Sequence, residues 1–346
     1  VVKRSLLVAL LLVLTACGTT VPGTPVAVPP AAPSSSAAPA KVPRSDLDAE
    51  LIELRKVDSC ALLDPQAAAK VAGDSPMWLA PSDGLADCKL MLRRGRMDSW
   101  EFRTVVGAPW IHDRAAKTGI AGTTFARVQA TDDSCSYTLR FRKLSAITLD
   151  VTRPYDDRRS DPCEIGRKYL EAVASTWSHL PLFSEGHTTP HLPLADVDPC
   201  DAADVDKGLG WTANPVSPSK CEIAVGADHV TVELELGYDP RKLVSPGSKT
   251  AKVVTVAGHP GCALENKYGG GYEVTVVFAD APAILLPVTL KYSEPAYQLI
   301  SVVAGDQTSA ETVIKEVFEA AARQPREVPA SPSEVDVVPL GDLTHG

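Results

Sequence analysis

The residues best suited to covalent chemistry are His259 and Cys262, in Gly258-His259-Pro260-Gly261-Cys262. A cysteine nucleophile needs a base within hydrogen-bond reach and a lowered pKa. The Gly-Pro turn can point imidazole and thiol apart, and Cys262 matches Ala126 when the two halves of the chain are aligned. A packed, free thiol is therefore expected. His187 and His191 have the spacing of two metal ligands on a helix. Pro190 and Pro193 disfavour a helix there, so a solvated linker is expected. Asp198, Asp201, Asp204 and Asp206 lack the spacing and glycine of a calcium loop and read as acids entering a helix. Gly269-Gly270-Gly271 is not followed by Lys-Ser or Lys-Thr, so it reads as a hairpin turn and not a phosphate loop. Arg93, Arg94 and Arg96, with Arg158 and Arg159, could meet a polyanion, although most such clusters are solvated faces. Trp100 and Trp177 fall on apolar faces, which favours core packing over a carbohydrate platform. With no Gly-x-Ser-x-Gly elbow, Ser-x-x-Lys or zinc-protease motif, no catalytic residue, metal ligand or cofactor is assigned.

The elements that position these residues come in two copies. Val57-Asp58-Ser59-Cys60 returns as Val197-Asp198-Pro199-Cys200, with Asp64 and Asp204 four residues past the cysteines. Asp64-Pro65 reads as a helix cap and first turn, closed by Gly73 and, in the second copy, by Gly210. Cys88-Lys-Leu-Met-Leu and Cys221-Glu-Ile-Ala-Val then open strands. The next strand alternates in both copies: Trp100, Phe102, Thr104 and Val106 match Val230, Val232, Leu234 and Leu236. Gly122 and Gly258 mark a later turn, and Cys135–Phe141 matches Tyr272–Phe278. At the same offset Ile147–Thr152 matches Ile284–Thr289, leaving Tyr297–Val303 as an apparent extra strand. Each copy closes on an amphipathic helix with a capping-box pattern, at Asp161-Pro162-Cys163-Glu164 and Thr308-Ser309-Ala310-Glu311. The expected fold is α+β: two tandem antiparallel sheets of about five strands, each flanked by N- and C-terminal helices. The expected boundaries are 45–183 and 197–323, with a linker at 184–196 and a disordered tail at 324–346.

The repeat also sorts the eight cysteines. Cys60 and Cys88 correspond to Cys200 and Cys221, whereas Cys135 and Cys163 lose their counterparts together, as a bonded pair would. The expected bonds are Cys60–Cys88, Cys135–Cys163 and Cys200–Cys221, leaving Cys262 free. A bond from Cys262 to Cys200 or Cys221 is the alternative.

Cys17 has a different setting. Lys3 and Arg4 precede an apolar run too short to span a bilayer, which ends in Leu14-Thr15-Ala16-Cys17. Residues 1–16 read as a lipoprotein signal peptide: the Cys17 sulfur would receive diacylglycerol, and cleavage would leave Cys17 as the new amino terminus. Residues 17–44 form a Pro-, Ala- and Ser-rich tether that reaches up to ~80 Å at ~3.1 Å per residue. Cleavage would remove Lys3 and Arg4 and no acid, taking the net charge of -9 to -11. That acidity excludes a broad nucleic-acid footprint and argues that the lipid, not the protein surface, holds the chain to a membrane.

The Asp-Pro-Cys openings, the strand-initiating second cysteine, Gly258-His259-Pro260 and the late Asp-Pro-Cys-Glu helix resemble a family of actinobacterial secreted lipoproteins known only as a domain of unknown function. The resemblance covers about residues 57–180 and, more weakly, 197–323. In plan it is similar to the extracellular sensor domains of some mycobacterial serine/threonine kinases. The family brings no catalytic residues. The lipobox, the Pro/Ala spacer, the duplicated disulfide module and the lack of a catalytic constellation lead to the expectation of a non-enzymatic protein on the outer face of the cell membrane, anchored through Cys17 and binding an unknown envelope protein or cell-wall ligand. An envelope hydrolase with an inter-domain site and an accessory subunit of an envelope complex are the competing expectations.

Overall fold

Among the described residues, seven strands and flanking helices build each of two repeats. The computed structural model describes residues 43–323 except 83, 95–97, 113, 186–191, 206–209, 227, 266–269 and 290–291. The first repeat opens with α1 (Asp46–Leu54) and α2 (Pro65–Ala72). Its strands are β1 (Ser75–Ser82), β2 (Asp87–Arg94), β3 (Asp98–Pro109), β4 (Ala116–Ile120), β5 (Thr123–Thr131), β6 (Ser134–Arg140) and β7 (Ser145–Thr152). Helices α3 (Pro162–Ala172) and α4 (Ala174–Ser178) close it. The second repeat has α5 (Ala202–Val205), β8 (Thr212–Ser217), β9 (Lys220–Val225), β10 (Asp228–Gly237), β11 (Ala251–Val256), β12 (His259–Glu265), β13 (Tyr272–Thr289), β14 (Tyr292–Ala304) and α6 (Gln307–Arg323). No helix among the described residues is long and apolar enough to cross a membrane.

Both sheets are antiparallel and share one topology. The first runs β1-β2-β3-β7-β6-β5-β4 and the second β8-β9-β10-β14-β13-β12-β11. Equivalent turns take the same form: Ala121-Gly122 and Ala257-Gly258, all at positive φ, join β4 to β5 and β11 to β12. In each repeat a hydroxyl pair bridges the two central strands, Thr138 with Thr148 at 3.2 Å and Thr275 with Ser301 at 3.1 Å.

This register corrects the sequence alignment at four points. Each repeat has seven strands among the described residues, where about five were expected. The counterpart of β7 is β14, so Tyr297–Val303 is not an extra strand. Ile284–Thr289 instead lengthens β13, pairing back from Leu285↔Pro295 to Thr289↔Tyr292 through several irregularities. Matching apolar runs at equal offset misled the alignment because the longer hairpin delays the return strand. Cys88↔Thr104 and Cys221↔Val232 also shift the third-strand match by two residues, which preserves the buried face because strand side chains alternate with period two.

The helices cover one face of each sheet. In α3, Gly166 lies so close to Tyr137 that an added Cβ would come within 2.8 Å of the ring. The first core centres on Trp100, Phe102, Phe125, Tyr137, Tyr169 and Trp177. The second is aliphatic, with Val232, Val276, Ile300, Val313, Ile314 and Val317 fully buried, and it recruits Ala80 and Leu85 from the first repeat.

The caps follow side-chain chemistry. Asp64 accepts from the N–H groups of Gln66 and Ala67, Pro65 is the first helical residue, and Gly73 ends α2 at φ +73°. Asp161 accepts from Cys163 N, while Glu164 binds Arg167 instead of completing a capping box. The cap of α6 is Asp306, which accepts from Ser309 N and Ser309 Oγ. Thr308 therefore lies inside the helix, because the carboxylate two residues earlier is the better acceptor for the free N–H groups.

Candidate functional site

A dense polar cluster lies where the two repeats meet. The Arg44 N–H donates to Asp48 Oδ2 at 2.8 Å just before α1. Its guanidinium donates to Asp198 Oδ2 at 3.0 Å, to Asp201 Oδ1 at 2.6 Å, and to Asp204. Arg55, at the end of α1, pairs with Asp198 Oδ1 at 2.9 Å and donates through Nε to the Pro218 carbonyl at 2.9 Å. Asp198 is 2 % exposed and also accepts from Cys200 N. One carboxylate thus caps the first turn of the second repeat and takes two arginines from the entry to the first. Burial alone would push the Arg44 guanidinium down; Asp198, Asp201 and Asp204 outweigh it and hold its pKa above the ordinary value. Of the acids expected at the helix entry, Asp198 caps it and Asp198, Asp201 and Asp204 form an ionic clasp, while Asp206 lies outside the described residues.

Backbone contacts continue this seam. Leu85 N donates to Leu234 O across it at 3.3 Å, while Leu234 N donates to Ser219 O at 2.8 Å within the second repeat. Gly107, at φ +82°, lets Pro218 approach to where a Cβ would stand, 2.3 Å from Pro218 Cδ. The recess between the repeats, lined by Leu54, Val57, Leu85, Phe183, Leu194 and Leu234, has room for little more than a water molecule.

The structure separates the two residues best suited to covalent chemistry. His259 and Cys262 are three apart on β12 and therefore face opposite sides of the sheet. The His259 ring stacks on Phe318 of α6, with centroids 4.0 Å apart, and its Nδ1–H donates to Val277 O at 3.0 Å. Cys262 is fully buried between Val253 and Thr275, its strand partners. Burial pushes its thiol up to about 11, with Glu273 and Asp239 adding in the same direction, the reverse of what activates a nucleophile.

Disulfides join Cys60 to Cys88, Cys135 to Cys163 and Cys200 to Cys221, and Cys262 is a free thiol. Each bond pins a helical segment to its sheet. Cys17, His187, His191, Arg96 and Gly269 lie outside the described residues. Trp100 and Trp177 are core residues. Arg93, at the end of β2, and Arg158 and Arg159, in the loop after β7, are brought to the same end of the first sheet. Among the described residues, no group of three or more His, Cys, Asp or Glu side chains is placed to hold a metal ion.

Two polar features were invisible in the linear sequence. The Glu50 carboxylate, 5 % exposed, accepts from the backbone N–H groups of Lys143, Leu144 and Ser145 and from Ser145 Oγ. Burial would raise its pKa; the Ser145 hydroxyl and these N–H groups more than reverse that and hold it below the ordinary value. Beside this turn, the Arg140 guanidinium lies 5.3 Å over the Trp110 ring.

The fold and the seam thus define a tandem α+β repeat protein, stapled by disulfides and clasped by arginine–aspartate pairs. Residues 12–176, a stretch that includes the first repeat, match the model of a family described as protein of unknown function (DUF3558). No curated protein matches the chain. The crystal structure of DynU16, a protein of the dynemicin biosynthetic locus, aligns at 12 % identity over 79 % of this chain and 91 % of its own, with a TM-score of 0.15. That likeness is too distant to bear on function.

Proposed function

We propose that this protein is a lipid-anchored component of the cell envelope that acts by binding, as a sensor or accessory module held outside the membrane on the residue 17–44 tether. The observation that carries this reading is the place of Arg44. It follows directly on the Pro-rich segment that begins at Cys17, and it clasps the first turns of both repeats. A lipid at Cys17 would therefore hold the seam itself through a single stretch of chain, and the two repeats would be presented to a partner as one body. The separation of His259 from Cys262 supports binding over cysteine-based hydrolysis.

The test is Cys17→Ala in the producing cell. The wild-type chain is expected in the membrane fraction, resistant to high salt, with the mass of an acylated, processed protein, and the variant with an unacylated mass and released from membranes by high salt. Identical mass and fractionation for the two chains would refute the anchor.

A further inference from the structure

We propose that Trp110, Ile111, Arg114, Arg140, Arg142 and Lys143 form a surface of the first repeat that rests on an anionic phospholipid bilayer. Four observations converge on it. Ile111 is 77 % exposed in the segment between β3 and β4, beside the half-buried Trp110. An exposed aliphatic side chain next to an indole suits the bilayer interface, where tryptophan is enriched. Arg114, Arg140, Arg142 and Lys143 are all exposed. Two acids of α1 beside it are occupied: Glu53 pairs with Arg142 at 2.5 Å, and the Glu50 carboxylate is turned inward onto backbone N–H groups; Asp113, between His112 and Arg114 in sequence, lies outside the described residues. The surface is also built rigidly, since Glu50 holds the turn at residues 143–145, and Trp110 N donates to Leu144 O at 2.8 Å. Little ordering would accompany docking.

Position and charge name the occupant. Glu50 and Glu53, which hold residues 142–145, both lie on α1. A helix of nine residues is only ~14 Å long, so residues 142–145 lie about one helix length from Arg44, which follows the segment that begins at Cys17. The acidity of the chain is unevenly divided. Residues 45–183 carry 19 basic and 20 acidic side chains, whereas residues 197–323 carry 10 and 17. A negative bilayer would attract this patch and repel the second repeat, orienting the molecule with the second repeat outward. A lipid tether keeps the local concentration on the order of millimolar, so even weak surface affinity is used.

The inference deepens the proposed envelope anchoring and rests on it only for its place in the cell. The experiment uses the full chain carrying Cys17→Ala, which has no acylation site, and measures co-flotation with vesicles of phosphatidylcholine alone or with phosphatidylglycerol. We expect binding to the anionic vesicles at least tenfold above the zwitterionic ones, weakening as salt is raised. Replacing Arg142 and Lys143 by Glu should reduce it about tenfold. Ile111→Ser alters only an exposed side chain and should reduce it severalfold with an unchanged circular dichroism spectrum. Equal binding to both vesicle types, no binding to either, or wild-type binding by folded forms of both variants would overturn the assignment. Failure of the anchoring reading would appear instead as wild-type protein released from cells, with the vesicle result intact.

Discussion

Replacing Arg44 by alanine tests whether the seam is held by charge or only by packing. The side chain donates to three carboxylates; to a fourth, the buried Asp48, it adds an ion pair at 3.5 Å beside the backbone N–H bond that the variant keeps, and the three hydrogen-bonded acids do not count equally. Asp204 is 58 % exposed, so its pair with Arg44 is screened and contributes close to nothing. Asp201 is 15 % exposed, and a charged hydrogen bond there is worth about 1 kcal/mol after discounting for solvent. Asp198 is 2 % exposed, and removing one partner of a buried pair costs about 3–5 kcal/mol when no other remains. Arg55 and Cys200 N still hold Asp198 in the variant, which brings its share down to about 1–3 kcal/mol. The total is about 2–4 kcal/mol. Urea unfolding with the disulfides intact measures it, and Arg44→Lys should recover only part, since an ammonium cannot fork among three carboxylates. In a cycle with Arg55→Ala the two losses should not add, because both arginines act on Asp198. A destabilisation below about 0.5 kcal/mol, or strict additivity with Arg55→Ala, would show that the clasp contributes no more than a surface pair.

Glu50→Gln should destabilise the protein by about 1–3 kcal/mol at pH 7, since an amide cannot accept as many bonds from the Lys143–Ser145 turn. The Glu50 pKa is lowered on folding, so its stabilisation is complete above the ordinary value of 4.5 and fades as pH falls through the lower folded value. Wild type and variant should therefore converge in urea midpoint at acid pH, and a constant gap from pH 7 to pH 3 would contradict this. Cys262 should resist iodoacetamide at pH 8 in the folded protein and react at once in urea, given full burial and a thiol pushed up to about 11. Fast native labelling would place it at the surface. Cys262→Ala should cost about 1 kcal/mol or less, because Ala126 fills the same sheet position in the first repeat.

Much of the fold was legible because its signals are local and occur twice. Period-two alternation in β3 and β10, Asp-Pro helix starts and the paired Cys60–Cys88 and Cys200–Cys221 segments each depend on neighbours a few residues away. The β14 assignment failed for a physical reason. Ile284–Thr289 has the composition of a central strand, and composition cannot distinguish a new strand from the outer arm of a lengthened hairpin. Only hydrogen-bond register separates them. The cap at Asp306 was missed because Thr308 and Asp306 can both cap and only the backbone geometry decides between them.

The sequence by itself determined that the chain is a duplicated α+β protein, which residues face each core, and where a lipobox-like cysteine stands. These follow from periodicity, from repetition and from short-range capping chemistry. It contained no sign that Arg44 and Arg55 would meet Asp198, because residues more than 140 positions apart become neighbours only when both sheets are formed. Nor did it show that Glu50 would hold a distant turn, or that Trp110 would lie under Arg140. Charge pairing and exposure depend on distance in space, and only the tertiary structure set those distances.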